Sequence, residues 1–239
     1  MKRQRSSEME PVDASATPAA AAEPLLERQD FVGMNREMHE NDEMREKIIK
    51  RSREILKASK QAIFALHRAD RAEALKLLGN AEKVIPELVA LTEQNPSLRD
   101  GALSSSLEEY AEAKCFCYYL DTKRLLPRRD VPVVQKNEYL GGVIDFTGEL
   151  MRYAVVKATA RDVEEVKRCK AMVEAISGEL IQFDFRNGPL RRKFDSVKYN
   201  LRKLENTLYE LSLVTNSGLT LQAHSVQEAP AASTREDEE

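Results

Sequence analysis

Four carboxylates carry the clearest chemical signal in this 239-residue chain. Asp145 and Glu149 lie in residues 137–154, NEYLGGVIDFTGELMRYA, and a helix there puts them one turn apart on one face. Gly148 stands beside them, where a bare backbone would let another helix approach closely. Acids at i,i+4 repel each other and add nothing to an apolar interface. Residues 140–151 are otherwise apolar or small, so the segment is prone to burial, and buried acids are normally paired or coordinate something. Arg152, one turn from Glu149, offers a structural partner instead. Glu109 and Glu112, in LEEYAEA, form a second pair at i,i+3 on an earlier segment. Glu108 and Glu112 make an equally good i,i+4 pair, and the pattern does not choose between Glu108 and Glu109. The expectation is that the two pairs face each other and hold a divalent metal ion. The competing expectation is a solvated acidic face, the common setting of Glu-x-x-Glu on a surface helix.

Oxygen donors without His or Cys at ligand spacing suit Mg2+ or Mn2+. A di-iron bundle needs Glu-x-x-His on two helices, but Arg36, Phe64 and Leu221 stand three residues before His39, His67 and His224. The all-α nucleotide pyrophosphatases use Glu-x-x-Glu followed by Glu-x-x-Asp. Here the second pair is Asp-x-x-x-Glu, which has the wrong order and spacing. No Ser or Cys is matched to a His base, which argues against covalent catalysis. Cys115 and Cys117 lack two further ligands at zinc spacing. With Cys169 they make an odd number of thiols in helical pattern, read as reduced, intracellular and partly buried.

The elements that must position these acids are helices. Only nine Gly and nine Pro occur, with 42% apolar and 32% charged residues, the composition of an all-α protein. A first helix is expected over residues 29–68, with Ile48, Ile55, Ile63 and Leu66 at helical spacing. A second, over residues 71–94, should turn Leu75, Leu78, Val84 and Leu88 inward and be bent or split by Pro86. After a turn at Asn95-Pro96, the third helix spans residues 97–126 and carries Glu109 and Glu112. Below them Phe116, Tyr119 and Leu120 make a core-like stripe. The loop LPRRDVP leads to the fourth helix, which carries Asp145 and Glu149 and continues to about Ala160. The fifth covers residues 163–183, and Asn187-Gly188-Pro189 separates it from the sixth. There Leu190, Phe194, Val197, Leu201, Leu204, Leu208 and Leu211 alternate spacings of four and three, a heptad seam for a bundle or a partner subunit.

The fold expected is an all-α, six- to seven-helix antiparallel bundle over residues 29–214. Its long apolar stripes point to oligomers. Residues 1–28, rich in Ser, Ala, Pro and Glu, and residues 215–239, ending in an acidic run, read as disordered tails. Lys2, Arg3 and Arg5 form a short basic cluster that reads either as a nuclear address or simply as a charged tail. No apolar run reaches the length of about 18 residues that a membrane span needs. A net charge of −3 gives no global attraction to nucleic acid, so any such binding needs a local basic patch.

Several of these segments resemble the translin family, and within it the translin-associated factor X branch. They are Ser59-Lys-Gln-Ala-Ile-Phe-Ala-Leu-His-Arg68, Leu107-Glu-Glu-Tyr-Ala-Glu-Ala113, Tyr139-Leu-Gly-Gly-Val-Ile-Asp-Phe-Thr-Gly-Glu-Leu-Met-Arg152, Gly188-Pro-Leu-Arg-Arg-Lys-Phe194 and Lys198-Tyr-Asn-Leu-Arg-Lys-Leu-Glu205. They follow one another in order across the whole expected folded unit. The resemblance implies about seven helices and assembly with translin into a hollow hetero-oligomer that binds RNA. It further implies a metal-dependent endoribonuclease in which the factor-X-like chain is the catalytic subunit. The family's acidic residues fall on Glu109, Glu112, Asp145 and Glu149, which selects Glu109 over Glu108. Translin proper lacks the Glu pair and the Asp. The short LPRRDVP loop departs from the animal pattern and puts loop-mediated contacts in doubt.

The resemblance implies Mg2+ or Mn2+ as cofactor and phosphodiester hydrolysis that leaves 3′-hydroxyl and 5′-phosphate ends, since a metal-activated water needs no 2′-hydroxyl. The substrate implied is single-stranded or small RNA, as in passenger-strand removal in RNA silencing or tRNA-fragment processing, with DNA as a further ligand. Cytoplasm and nucleus are the compartments implied. Lys114, Lys123, Arg124, Arg128, Arg129 and Arg152 are candidate RNA-backbone contacts, against the commoner reading of such residues as a solvated face. Two other classes stay open: a non-catalytic RNA-binding scaffold, and an interaction protein that uses the Leu190 to Leu211 seam for a partner helix.

Overall fold

The computed structural model describes residues 25–217, so the basic cluster at Lys2, Arg3 and Arg5 and most of both expected tails lie outside the described residues. Among the described residues there are six α-helices and no strand: α1 (Arg28–His67), α2 (Arg71–Gln94), α3 (Ala102–Thr122), α4 (Lys136–Thr159), α5 (Val163–Leu180) and α6 (Pro189–Ser217). None is long and apolar enough to cross a membrane. The described residues divide into two units, one ending at Asp42 and one beginning at Glu43. In the first, the described start of α1 exposes Phe31, Val32, Met34 and Met38. The second holds the core and every residue discussed below.

The structure differs from the sequence expectation in α2, α3 and α5. Helix α2 runs through Pro86 without splitting. Pro86 is exposed and so is Glu82, whose carbonyl loses its intrahelical partner, so water can take the missing donor's place. Leu75 is also exposed, because Ala74, Leu78, Ala81, Ile85 and Leu88 form the inward row at helical spacing. The third helix is shorter than expected. A separate 3-10 turn, Pro96–Arg99, precedes it, and Gly101 at φ 91° breaks the chain before Ala102. At its other end Lys123 adopts the left-handed conformation and donates its N–H to the Tyr119 carbonyl. Similarly α5 stops at Leu180 rather than Phe183.

Short corners reverse the chain between α1 and α2 and between α4 and α5. Each uses a left-handed residue, Ala69 or Arg161, followed by a capping aspartate, Asp70 on Glu73 N–H or Asp162 on Glu165 N–H. The connection from α3 to α4 differs. Residues 123–135 carry the chain back, so the two helices run in the same direction: Arg99 before α3 meets Glu138 in the first turn of α4, and Phe116 lies against Tyr153 further along both. The pairing is close. A Cβ on Gly142 would fall 2.7 Å from the Glu108 carbonyl oxygen and 2.9 Å from the Glu112 nitrogen. Gly148, by contrast, has its nearest such neighbour, Asn200 Nδ2, at 3.7 Å, so the residues that permit close approach are Gly141 and Gly142.

The seam of α6 is covered within this chain. Phe194, Val197, Leu204 and Leu211 are buried, while Leu190, Leu201 and Leu208 are half-buried. Cys115, Cys117 and Cys169 are all buried free thiols.

Candidate functional site

Because α3 and α4 are parallel and in close contact, their acids stand side by side. Glu112 is 7% exposed. Its carboxyl is pushed up to about 9, first by burial and then by the charges of Glu109, Asp145 and Glu149, with Lys193 opposing. Both expected pairs therefore act on one point. Glu109 is also raised, by burial first; Lys60 offsets this, while Asp145 and Glu149 add to it. Glu108 is raised by burial too, against the pull of Lys193.

Basic side chains from two other helices, α1 and α6, surround the cluster, with Arg152 of α4 beside them. Lys193 of α6 donates to both Glu108 and Asp145, and burial of its ammonium is outweighed by those two bonds, so its pKa is raised. His67, at the end of α1, bonds Glu149 through Nε2 and lies 4.7 Å from the Phe116 ring. Lys60 stands 3.8 Å from Glu109, and Arg152 pairs with Glu149 at 3.7 Å. Among the described residues the Glu112 carboxyl has neither a hydrogen bond nor an ion pair, and Glu109 has only its 3.8 Å ion pair with Lys60.

Glu109 and Glu108 are thus both at the cluster, in different places. Glu109 adds to the charge on Glu112, whereas Glu108 turns to Lys193 and Asp145 over the bare backbone of Gly141. Sequence reasoning missed Lys193, His67 and Lys60. Lys193 follows two arginines at the start of α6, and nothing in that basic run marks which member points inward. His67 drew notice only as a failed iron ligand.

The candidate RNA contacts are not brought to the cluster, Arg152 excepted. Lys114 pairs with Glu82 at 2.9 Å, and Lys123 pairs with Glu165 at 2.7 Å. Arg124 and Arg128 are exposed, and exposed Arg129 stands 3.8 Å from its neighbour Asp130. Lys123 is about 16 Å along α3 from Glu112.

Among the described residues no three carboxylate, imidazole or thiol groups stand ready as a cation-binding set. Asp145 is engaged by Lys193 and Glu149 by His67. The chemistry of the donors nonetheless fits a hard divalent cation. Four carboxylates act on one another, and the most buried has no donor and is pushed up to about 9 by burial and by the other three.

Fold and site together define an all-α bundle with a carboxylate cluster between two parallel helices. The sequence description of the Translin family matches residues 43–214, and the chain belongs to that family. The Translin-associated protein X homolog of Schizosaccharomyces pombe is 26% identical over 199 residues, spanning 76% of this chain and 86% of that protein. Translin-associated protein X of Mus musculus is 25% identical, covering 77% of each chain. Translin of Homo sapiens is 26% identical over 41% of this chain and 49% of its own length. Among solved structures, apo-NeC3PO superposes with a TM-score of 0.70 at 24% identity, covering 79% of this chain and all of that one. A complex of AfC3PO with duplex RNA gives 0.69 at 21% identity, over 79% and 99%.

Proposed function

We propose that this chain is the carboxylate-bearing, catalytic subunit of a translin-type endoribonuclease, assembled with translin into a hollow hetero-oligomer, and that Glu109, Glu112, Asp145 and Glu149 hold Mg2+ or Mn2+. The observation that carries this is Glu112, a buried acid among three others with no hydrogen-bond donor of its own. Burying carboxylates together is costly unless the site is used. When bound, the divalent ion supplies water activation and charge stabilisation at the phosphate. Glu112 must lose its proton to become a ligand, which couples its charge to cation binding. His67 fixes the orientation of Glu149 through Nε2. Arg152, whose side chain is 58% exposed, is free to exchange its 3.7 Å contact with Glu149 for a substrate phosphate. The AfC3PO complex with duplex RNA, similar to this chain in fold, supports a nucleic-acid substrate.

The test is cleavage of single-stranded RNA with and without Mg2+, and with and without a translin partner. Glu112→Gln and Asp145→Asn should abolish cleavage while assembly persists. Products should carry 3′-hydroxyl and 5′-phosphate ends, and 2′,3′-cyclic phosphate ends would sink the mechanism. The same reading places the protein in nucleus and cytoplasm, to be checked by imaging a tagged chain, and takes passenger-strand RNA or tRNA fragments as substrates.

A second reading, a non-catalytic RNA-binding scaffold, is favoured by the ion pairs that already engage Asp145 and Glu149. It requires that both variants cleave as the parent does.

A further inference from the structure

We propose that Lys193 is a tethered counter-ion that competes with the divalent cation for Asp145. The inference rests on the cation reading above and adds a residue to it.

Lys193 alone among the cations around the cluster joins acids from two helices, Glu108 of α3 and Asp145 of α4, and it does so from a third, α6. The three side chains are 35%, 21% and 33% exposed, so solvent screens the pair only in part. Glycine makes room for the bridge: a Cβ on Gly141 would lie 2.4 Å from the Glu108 carboxyl carbon. Without the ammonium, Glu108 and Asp145 would face each other as like charges between parallel helices. An ammonium and a divalent ion cannot share Asp145 closely, because two cations on one carboxylate repel.

Lys193 also has somewhere to go. It lines a cavity of about 650 Å3 with Ser104, Ser105, Asn137 and Glu108. The lining is partly apolar, with Phe185 and Leu190, but an ammonium leaving Asp145 would find acceptors there in Ser104, Ser105 and the carboxylates of Asp100 and Asp184. Arg99 is the contrast, held in a fork on Glu138 with both partners buried. Lys193 thus holds the carboxylates and has room for a second station in the cavity, and cation binding selects between them. Competition is reciprocal, so the strength with which the ammonium holds Asp145 sets how much weaker the cation binds.

The experiment is a Mn2+ titration of the full-length chain followed by electron paramagnetic resonance, with melting temperature read in parallel. Lys193→Met and Lys193→Gln should bind Mn2+ at least about fivefold more tightly, the lower end of ordinary coupling between sites. Without Mn2+ they should melt lower, and saturating Mn2+ should raise their melting temperature by more than it raises the parent's. Lys193→Arg should stay near the parent in affinity. If Lys193→Met does not fold, Lys193→Gln keeps part of the stem and a donor and carries the measurement. Unchanged or weaker affinity in the folded variants, with Asp145→Asn abolishing binding, would overturn the competition while leaving the cation site standing. If neither the parent nor any variant binds Mn2+, the cation reading and the inference fall together.

Discussion

Glu138 and Glu112 are both buried acids in helices that touch, at 2% and 7% exposure, and they are opposites in company. Glu138 accepts from Arg99 Nε at 2.9 Å, from Arg99 Nη2 at 2.7 Å and from the Gln135 backbone N–H at 2.7 Å. Arg99 Nη2 also donates to the Val133 carbonyl at 2.7 Å. That network closes the first turn of α4 and ties the segment before α3 to it, which sets the two helices level. Glu112 has no donor, three acids acting on it and a proton it would not hold in water. Burial alone therefore does not separate scaffolding from function. What separates them is whether the chain supplies the partners.

The contrast breaks first on stability. Glu138→Ala leaves a buried guanidinium without its acid and should cost about 3–5 kcal/mol in urea unfolding. A loss under about 1 kcal/mol would mean that Glu138 is no more structural than Glu112. Next, Glu112→Gln should not destabilise the fold and should raise unfolding free energy at neutral pH, because the parent must take up a proton at Glu112 on folding and glutamine need not. It should lower RNA cleavage by at least about 100-fold, the scale of a lost charge-stabilising group. Strong destabilisation with cleavage retained would reverse the assignment.

Much of this architecture was legible. Helix α2 spans the residues expected and ends at the expected turn at Asn95-Pro96, the row from Ile48 to Leu66 is buried, and the acids of α3 and α4 do meet. What could not be read was set by tertiary geometry. Gly148 lies beside Asp145 and Glu149 in sequence, yet the contact with α3 falls on Gly141 and Gly142, because their face and not that of Gly148 turns to Glu108 and Ala111. The parallel course of α3 and α4 depends on a returning segment whose length permits either direction. Lys193, His67 and Lys60 come from helices distant in the chain, and a single positive residue on a helix has no periodicity to announce its partner.

The third test concerns that contact. Gly142→Ala puts a methyl 2.8 Å from the Ala111 Cβ and 2.9 Å from the Glu112 nitrogen, so backbone must move. Overpacking of this kind costs about 1–3 kcal/mol. The displacement falls on the uncompensated acid, so cleavage should drop more than stability does, whereas the Arg99–Glu138 fork should be untouched. Equal losses in both would show that the two regions are not separable.

The pH dependence is a gentler probe. The folded chain keeps the Glu112 proton between the ordinary value of 4.5 and about 9, where the unfolded chain has lost it. The folded state binds more protons in that window, so its stability falls as pH rises, by at most about 1.4 kcal/mol per pH unit. The contribution is fully present below 4.5 and is lost as pH climbs through about 9. Glu112→Gln should remove this slope. Urea titrations of both forms from pH 5 to 8 read the difference, and parallel curves would show that Glu112 titrates as an ordinary acid.

The smallest expected effect is a gain. Gly148→Ala adds a methyl in ordinary contact, 3.7 Å from Asn200 Nδ2, in the interior of α4. Removing a helical glycine's backbone freedom should stabilise the chain by about 0.5–1 kcal/mol. The Asn200 bond to Thr147 Oγ1, 2.9 Å, should survive, because the methyl approaches the amide without displacing it. Cleavage should be unchanged even though the residue adjoins Glu149 in sequence. Set beside Gly142→Ala, this pair of one-methyl changes on one helix asks whether the site is defined by neighbours in the chain or by the α3 contact. If Gly148→Ala costs stability and activity while Gly142→Ala costs neither, the acids of α3 and α4 are not held together in the way the glycines indicate.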